Sequence, residues 1–233
     1  MRPDSRLARI LAALERHYGK VRISKPARPY HLLLFANCGY PASERACTAG
    51  FGALKRSVGL SPEAIQRASK RRLVEAMRVG GIVPELRAER IREIAERSST
   101  EEGADPDGIA HLPIAKARRL LKTFPTIGDP GADRILLLSH TDAVAAVPSN
   151  ATQVPLRLGF GKEHSSYAAG YRSASAALDA ALPRTFGARI RAYVLLKKHG
   201  EEICKRSRPQ CERCPVASDC PFPKGPAPLP QDV

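Results

Sequence analysis

The sequence lacks three kinds of pattern, and each absence narrows the range of folds. No apolar run reaches the roughly 18 to 20 residues that a membrane-spanning helix needs. No stretch alternates apolar and polar residues for long enough to predict a β-sheet. Internal repeats, low-complexity blocks and a secretory signal are also absent. We therefore expect an all-α protein in a reducing compartment, without membrane association.

Composition and charge point to a globular protein that binds a polyanion. The 233 residues suffice for one large domain or two small ones with a real core. Hydrophobic residues make up 43% and charged residues 26%, which is typical of folded chains. Lysine and arginine total 38 against 23 acidic residues, so the formal net charge is +15. This excess favours nucleic acid as the partner over an anionic membrane surface.

The stretch FPTIGDPGADRILLL, which begins at Phe124, predicts a helical hairpin. A basic helical pattern over 114–123 runs into Pro125, which should end that helix. Asp129 and Pro130 then form the pattern of an N-cap and a first helical residue, with the Asp129 carboxylate expected to cap and to repel phosphate. The free amides of the second helix would favour an anion. An ordinary helical corner is an equally good interpretation of this stretch alone.

Other segments predict further helices from apolar residues at helical spacing or from caps. These segments are 5–17, 61–77, 84–97, 174–182 and 190–199. Ser5 and Ser61 are predicted N-caps. In 84–97 we expect Leu86 to face inward and the arginines, including Arg87, to form a solvated face. Residues 98–108 are predicted to be a polar loop. Asn37 follows a buried apolar run and is expected to close a helix end through its amide.

Four cysteines near the C-terminus predict a metal centre with the spacing C-x6-C-x2-C-x5-C. They are Cys204, Cys211, Cys214 and Cys220. Both tetrahedral zinc and a four-iron four-sulfur cluster accept four cysteine ligands on a short loop. Structural zinc sites usually show two C-x2-C knuckles, and the single knuckle here favours the cluster. Two disulfides are the alternative and would need an oxidising compartment. Cys38 and Cys47 are expected to be ordinary buried thiols.

The hairpin, a later Ser149-Asn150 pair before a helix, and this cysteine spacing together resemble endonuclease III. That protein typifies the helix-hairpin-helix, Gly/Pro-Asp superfamily of DNA glycosylases. The resemblance spans about residues 5–223. It implies a two-lobed all-α fold, with DNA across the cleft between the lobes and a [4Fe-4S] cluster on the four cysteines. The implied parts are a helical barrel over 25–141 with the hairpin at 114–138, an iron-sulfur lobe joining 1–24 to 142–223, and a flexible tail, 224–233.

The resemblance also implies a set of DNA contacts, made by a monomer to double-stranded DNA that is damaged or abasic. The implied contact residues are Asn37, Pro125, Thr126, Ile127, Gly128, Gly131, Ser149, Asn150, Lys205, Arg206 and Arg208. Asn37 falls where the family carries a glutamine that fills the gap left by a flipped nucleotide. If the chain is bacterial, we expect a cytoplasmic, nucleoid-associated protein.

Proline occupies both standard catalytic positions of that family. Pro130 stands where the family has the lysine that attacks the sugar, and Pro148 stands where it has an aspartate. Proline can neither form a Schiff base nor carry negative charge to an oxocarbenium ion. Thr126 also replaces the first glycine of the hairpin. The hairpin is thus expected to bind phosphate, while the chain lacks the standard catalytic chemistry of that family.

Three hypotheses follow, and they leave open whether the chain is an enzyme. The first is a non-catalytic or weakly catalytic protein that recognises damaged or distorted DNA. The second is a glycosylase or abasic-site lyase with relocated groups, for which Lys122, Asp133 and Asp142 are the candidates. The third is a DNA-associated redox sensor in which the iron-sulfur cluster is the working part. We rank them in that order.

Overall fold

The computed structural model describes residues 4–23, 25–39, 43–99 and 105–222. Every regular element in these ranges is helical, which confirms the all-α prediction. The α-helices are α1 (Ser5–Tyr18), α2 (Pro29–Asn37), α3 (Glu44–Ser57), α4 (Pro62–Arg67), α5 (Lys70–Arg78), α6 (Pro84–Arg97), α7 (Ile114–Leu121), α8 (Asp129–Leu138), α9 (Gln153–Arg157), α10 (Tyr167–Ala181) and α11 (Phe186–Glu202). Short 3-10 helices lie at Pro106–His111, Cys211–Arg213 and Ala217–Asp219. None of these helices is long and apolar enough to cross a membrane.

The chain forms two compact units. One unit is Ser24–Ala143 and contains α2 to α8, with α2 packed against α3, α6 and α8. The other combines Met1–Ile23 with Val144–Val233 and contains α1 and α9 to α11. The predicted tail, 224–233, lies outside the described residues.

The second unit has one apolar core, to which the amphipathic first helix contributes four buried side chains. These are Leu7, Ile10, Leu11 and Leu14. Their spacing puts them on one face of α1, where they pack with apolar residues of α9, α10 and α11. Cys204, Cys214 and Cys220 pack against the edge of this core. The cysteine segment therefore rests on a rigid base.

Caps explain where several helices begin. Ser61 caps α4 as predicted, because its hydroxyl accepts from the amide of Ala64. Ser5, however, is not the cap of α1. The Asp4 carboxylate accepts from the amides of Arg6 and Leu7, so the cap lies one residue earlier.

The structure corrects the predicted extents of two segments and the predicted faces of a third. The single helix predicted over 61–77 is two helices, since Ala68 is extended and Ser69 caps α5. The predicted polar loop over 98–108 already contains the start of a 3-10 helix, capped by Asp105. The predicted helix over 84–97 exists, but its faces differ from the prediction. Leu86 is 41% exposed and Arg87 is fully buried.

Candidate nucleic-acid interface and cysteine cavity

The helical hairpin is formed by α7 and α8, with the turn between Leu121 and Asp129. Gly128 takes the cap position, so Asp129 is the first helical residue and not the N-cap that we predicted. No side chain of the described residues caps α8, because glycine has none to offer. The Asp129 carboxylate instead lies 2.5 Å from Nζ of Lys122, across the turn. The start of α8 thus keeps its amides for another acceptor.

A second ion pair joins the two helices of the hairpin. Nη2 of Arg118, on α7, lies 2.5 Å from Oδ1 of Asp133, on α8. Asp133 is only 3% exposed, whereas the Arg118 side chain is 42% exposed. Lys122 and Asp133, two of the three candidates for relocated catalytic groups, are therefore engaged in holding the hairpin together. The third, Asp142, lies in the segment that follows α8, where its amide donates to the carbonyl of Leu136.

Asn37 fixes the turn of the hairpin from the end of α2. Its Nδ2 donates to the carbonyls of Leu33 at 3.0 Å and Pro125 at 3.2 Å. Its Oδ1 accepts from Oγ1 of Thr126 at 3.1 Å. The side chain is fully buried, so it offers no surface to DNA in this conformation. The amide closes the end of α2 through its hydrogen bond to Leu33. The family-derived role of gap filling stays a prediction.

Thr126 has a backbone that a glycine would adopt more easily. Its φ of 64° is in the left-handed region, where a β-branched residue is strained. The hydrogen bond to Asn37 offsets part of that strain. Ile127 and Gly131, further along the hairpin, are closely packed. A Cβ added to Gly131 would lie 3.3 Å from Cγ2 of Ile127. Ile127 itself is only 6% exposed.

The Ser149-Asn150 pair is exposed, but the residue before it is not. Pro148 is buried, so the position of the family's carboxylate faces the protein interior. The Ser149 carbonyl accepts from the hydroxyl of Tyr167 at 3.1 Å. Nδ2 of Asn150 donates to Oε1 of Glu201 at 3.2 Å. The loop is held by neighbours on α10 and α11, while its two polar side chains remain at the surface.

The four clustered cysteines line one cavity in the second unit. Apolar side chains complete its wall, among them Leu158, Ile203 and Val216. All six cysteines of the chain are described, and all are free thiols. Within the described ranges no three His, Cys, Asp or Glu side chains converge closely enough to hold a single ion.

Arg157 ties the cysteine segment to α9. Its Nη1 lies 3.6 Å from Sγ of Cys204 and donates to the carbonyl of Lys205 at 2.8 Å. Its Nη2 donates to the carbonyl of Arg206 at 2.7 Å. The side chains of Lys205, Arg206 and Arg208 are exposed, as basic residues that meet phosphate must be.

Unpaired polar atoms lie at the cavity and close to it. In the described part of the chain, three buried polar atoms beside it have no hydrogen-bond partner. They are Nε of Arg157, Oε1 of Gln153 and Oε1 of Gln210. Burial raises the pKa of the Cys204 and Cys214 thiols. A bound metal reverses this preference because a coordinating thiol loses its proton.

Comparison with known proteins gives one similar sequence and many similar folds. No model of a known protein family matches the chain. Over 185 residues it is 23% identical to endonuclease III of Sulfolobus acidocaldarius, which covers 78% of this chain and 76% of that protein. A trapped endonuclease III–DNA covalent intermediate superposes with a TM-score of 0.69 at 17% identity, over 95% of this chain and 97% of that one. The chain has the fold of the helix-hairpin-helix DNA glycosylases.

A second solved structure supports the same assignment. A thermostable thymine-DNA glycosylase superposes with a TM-score of 0.67 at 17% identity, over 93% of this chain and 96% of that one. The resemblance inferred from the hairpin and the cysteine spacing is thereby confirmed at the level of the fold.

Sequence reasoning missed two residues beside the cysteine cavity. Nε2 of His199, on α11, lies 3.6 Å from Sγ of Cys214. The hydroxyl of Tyr18, on α1, lies 3.0 Å from Nδ1 of the same ring. His199 is 2% exposed, and burial lowers its pKa to about 4. The only sequence signal is the position of His199, five residues before Cys204, since Tyr18 is far away along the chain.

An exposed apolar turn between α5 and α6 was also missed. Val79 is 58% exposed, Ile82 68% and Leu86 41%. Val83, at the same turn, is 44% exposed and has a φ of 49°, in the strained left-handed region. The buried guanidinium of Arg87 donates to the carbonyls of Met77, Gly80 and Gly81, and so holds the turn in place. We call these four apolar residues the apolar turn.

Proposed function

We propose that this chain binds damaged or distorted duplex DNA, as a monomer, without the standard chemistry of its superfamily. The main observation in support is the hairpin, which is fixed by Asn37 and two ion pairs. It keeps this shape although Pro130 stands where the superfamily's lysine is expected. A scaffold that keeps the shape of its DNA-binding hairpin without the nucleophile is suited to recognition. If the chain is bacterial, such a protein acts at the nucleoid in the cytoplasm.

The start of α8 is the proposed phosphate site of the hairpin. Its amides have no side-chain cap among the described residues, and the helix dipole favours an anion there. The nearby Asp129 would repel phosphate, but Lys122 neutralises it at 2.5 Å. Exposed Lys205, Arg206 and Arg208 supply further cations on the other unit. The net charge of +15 supports the same partner over long range.

The apolar turn suits recognition of distorted DNA. Proteins that select bent or unstacked duplexes often insert apolar side chains between base steps. Insertion costs less where pairing or stacking is already lost, so an apolar wedge favours damaged sites over intact duplex. Ile82 is the most exposed residue of this turn, and the carbonyls bound by Arg87 keep the backbone beneath it rigid. We therefore assign the preference for distortion to this turn.

A [4Fe-4S] cluster is the proposed cofactor, held by Cys204, Cys211, Cys214 and Cys220. Thiols spread around an enclosed apolar space suit a polynuclear cluster better than a single tetrahedral ion. When bound, the cluster supplies a covalent cross-link of the whole cysteine segment. That cross-link would position the loop that carries Lys205, Arg206 and Arg208, which otherwise depends on Arg157 and short turns.

Relocated catalysis finds less support than recognition. Lys122 and Asp133 are engaged in ion pairs within the hairpin. Pro148 is buried, and no carboxylate takes its place in the adjoining Ser149-Asn150 pair. Catalysis by relocated residues is therefore the alternative that the experiments below would detect.

Fluorescence anisotropy over a series of salt concentrations tests the proposal. The probes are matched duplexes that are intact, bulged, or carry a stable abasic-site analogue. We expect tighter binding to the bulged and abasic duplexes, and log K should fall with log salt by about 0.9 per neutralised phosphate. Equal affinity for all three duplexes, or binding insensitive to salt, would overturn the proposal. Lys205→Ala should lower the slope by about one phosphate equivalent for every duplex.

A further inference from the structure

We infer that Tyr18 and His199 form a two-residue outer shell that directs an N–H hydrogen bond at the sulfur of Cys214 and so sets the reduction potential of the bound cluster. This inference rests on the proposed [4Fe-4S] cofactor. Tyr18 and His199 are positioning residues, since neither is a ligand in the proposed site.

The three side chains form a continuous line inside one unit. The Tyr18 hydroxyl lies 3.0 Å from Nδ1 of His199, and Nε2 on the opposite side of the ring lies 3.6 Å from Sγ of Cys214. His199 is 2% exposed, so water does not compete for either nitrogen. Lys198 holds the near end of the line, because its Nζ donates to the Tyr18 carbonyl at 3.3 Å and lies 5.1 Å from the centre of the Tyr18 ring.

Hydrogen-bond chemistry allows only one arrangement of protons once Cys214 is a thiolate. A neutral imidazole has one N–H donor and one acceptor nitrogen. If Nε2 were the acceptor, its lone pair would face the thiolate, which is repulsive. The Tyr18 hydroxyl instead donates to Nδ1, and this places the ring proton on Nε2, where it donates to Sγ. A doubly protonated ring would also donate through Nε2, so the direction of this bond is the same in both states.

The bond has a defined effect on a cluster held by Cys214. Hydrogen bonds to cluster sulfurs withdraw negative charge and favour the more reduced state, so they raise the reduction potential. Tyr18 acts through His199, since its hydroxyl selects the ring tautomer. Removing the Tyr18 hydroxyl should therefore lower the potential without changing the set of ligands.

Voltammetry of the full, iron-loaded chain on a DNA-free electrode tests the inference. We expect a lower potential for Tyr18→Phe, a still lower one for His199→Leu, and no further shift when the two are combined. The matched control is Tyr30→Phe, since Tyr30 is a buried tyrosine of the other unit and its hydroxyl has no partner among the described residues. Its potential should equal that of the unmodified chain. Nitrogen-15 NMR of His199 should show the Nε2–H tautomer in the unmodified chain and in Tyr30→Phe, and less of it in Tyr18→Phe.

The outcomes separate this inference from the proposed cofactor. Iron-loaded Tyr18→Phe and His199→Leu with unchanged potentials would overturn the inference alone. An unmodified chain that binds no iron and sulfide would overturn the cofactor proposal and the inference together. Tyr18→Phe removes a single oxygen from a partly exposed side chain. It therefore decides the question even where His199→Leu fails to fold, and far-ultraviolet circular dichroism checks that it is folded.

Discussion

Oγ1 of Thr126 donates to Oδ1 of Asn37 across 3.1 Å, and this bond joins the end of α2 to the turn of the hairpin. Thr126 stands where the superfamily's hairpin pattern has a glycine, and its φ of 64° shows why glycine suits the position. The buried amide of Asn37 offsets the strain by binding both Thr126 and the carbonyl of Pro125. The shape of the turn thus depends on a side chain from a different helix.

This relationship predicts an unusual order of stability for variants of Thr126. Thr126→Ala loses the hydrogen bond and keeps a Cβ in the left-handed region, so we expect a loss of about 1–2 kcal/mol in the free energy of unfolding. Thr126→Gly loses the same bond but relieves the strain, so its loss should be smaller. Urea denaturation measures both.

A matched threonine elsewhere in the same unit serves as the control. Thr48→Ala removes a hydroxyl that donates to the carbonyl of Glu44 on an exposed helix surface, and its effect should stay within about 0.5 kcal/mol. Thr126→Gly that is as destabilising as Thr126→Ala would contradict the strain argument.

The ion pair between Lys122 and Asp129 predicts a rescue experiment on DNA affinity. Lys122→Ala should weaken DNA binding by more than removal of a distant lysine does. The reason is that it also leaves the Asp129 carboxylate unpaired beside the proposed phosphate site. Asp129→Asn in the same chain should restore part of that loss. Dissociation constants from anisotropy at fixed salt give the comparison.

Lys70 supplies the control for the rescue experiment. It is an exposed lysine paired with Glu89 at 3.3 Å on the same unit, away from the hairpin. Lys70→Ala should weaken binding only slightly. If Asp129→Asn brings no recovery in the Lys122→Ala chain, then α8 does not hold phosphate at its start.

The cysteine cavity predicts which thiols the cofactor needs. Cys211→Ser should abolish the iron and acid-labile sulfide content of the purified protein, because serine is a poor ligand for a [4Fe-4S] cluster. Cys47→Ala, a buried thiol outside the cavity, should keep both. Metal analysis together with visible absorption distinguishes the cases. One zinc ion per chain in place of iron would contradict the assignment.

The apolar turn predicts a loss of selectivity without a loss of stability. Ile82 is 68% exposed, so Ile82→Ser should leave the unfolding free energy nearly unchanged. If Ile82 is buried in a distorted duplex, its replacement should reduce the preference for bulged over intact DNA by roughly tenfold. Val194→Ser, at an exposed valine of the other unit, should leave that preference intact. An equal effect of both substitutions would contradict the proposed insertion of the apolar turn into distorted DNA.

Local patterns explain what could be predicted from the sequence. The four cysteines lie close together along the chain, so their shared cavity follows from spacing alone. The Ser61 cap and the apolar face of α1 are similarly encoded within a few residues. The resemblance to endonuclease III could be recognised because the hairpin and cysteine motifs are both of this local kind.

Long-range contacts explain what could not be predicted. Asn37 meets Thr126, and Tyr18 meets His199, only after the chain has folded, and no local pattern marks either pair. Arg87 looked like one of several surface arginines, yet three backbone carbonyls of a tight turn make it a buried residue. The exposed Leu86 beside it follows from the same turn, which reverses the expected faces at the start of α6.

The most direct measurement is a single-turnover incubation of the iron-loaded protein with lesion-bearing duplexes. The panel contains an abasic site, uracil, oxidised pyrimidines and alkylated purines, and each reaction is divided between alkali and borohydride. The account predicts lesion-selective binding in the same tubes, with no alkali-dependent strand breaks and no trapped adduct. Rapid base excision, or a borohydride-trapped adduct, would contradict it and show that the fold has kept an enzymatic activity through other residues.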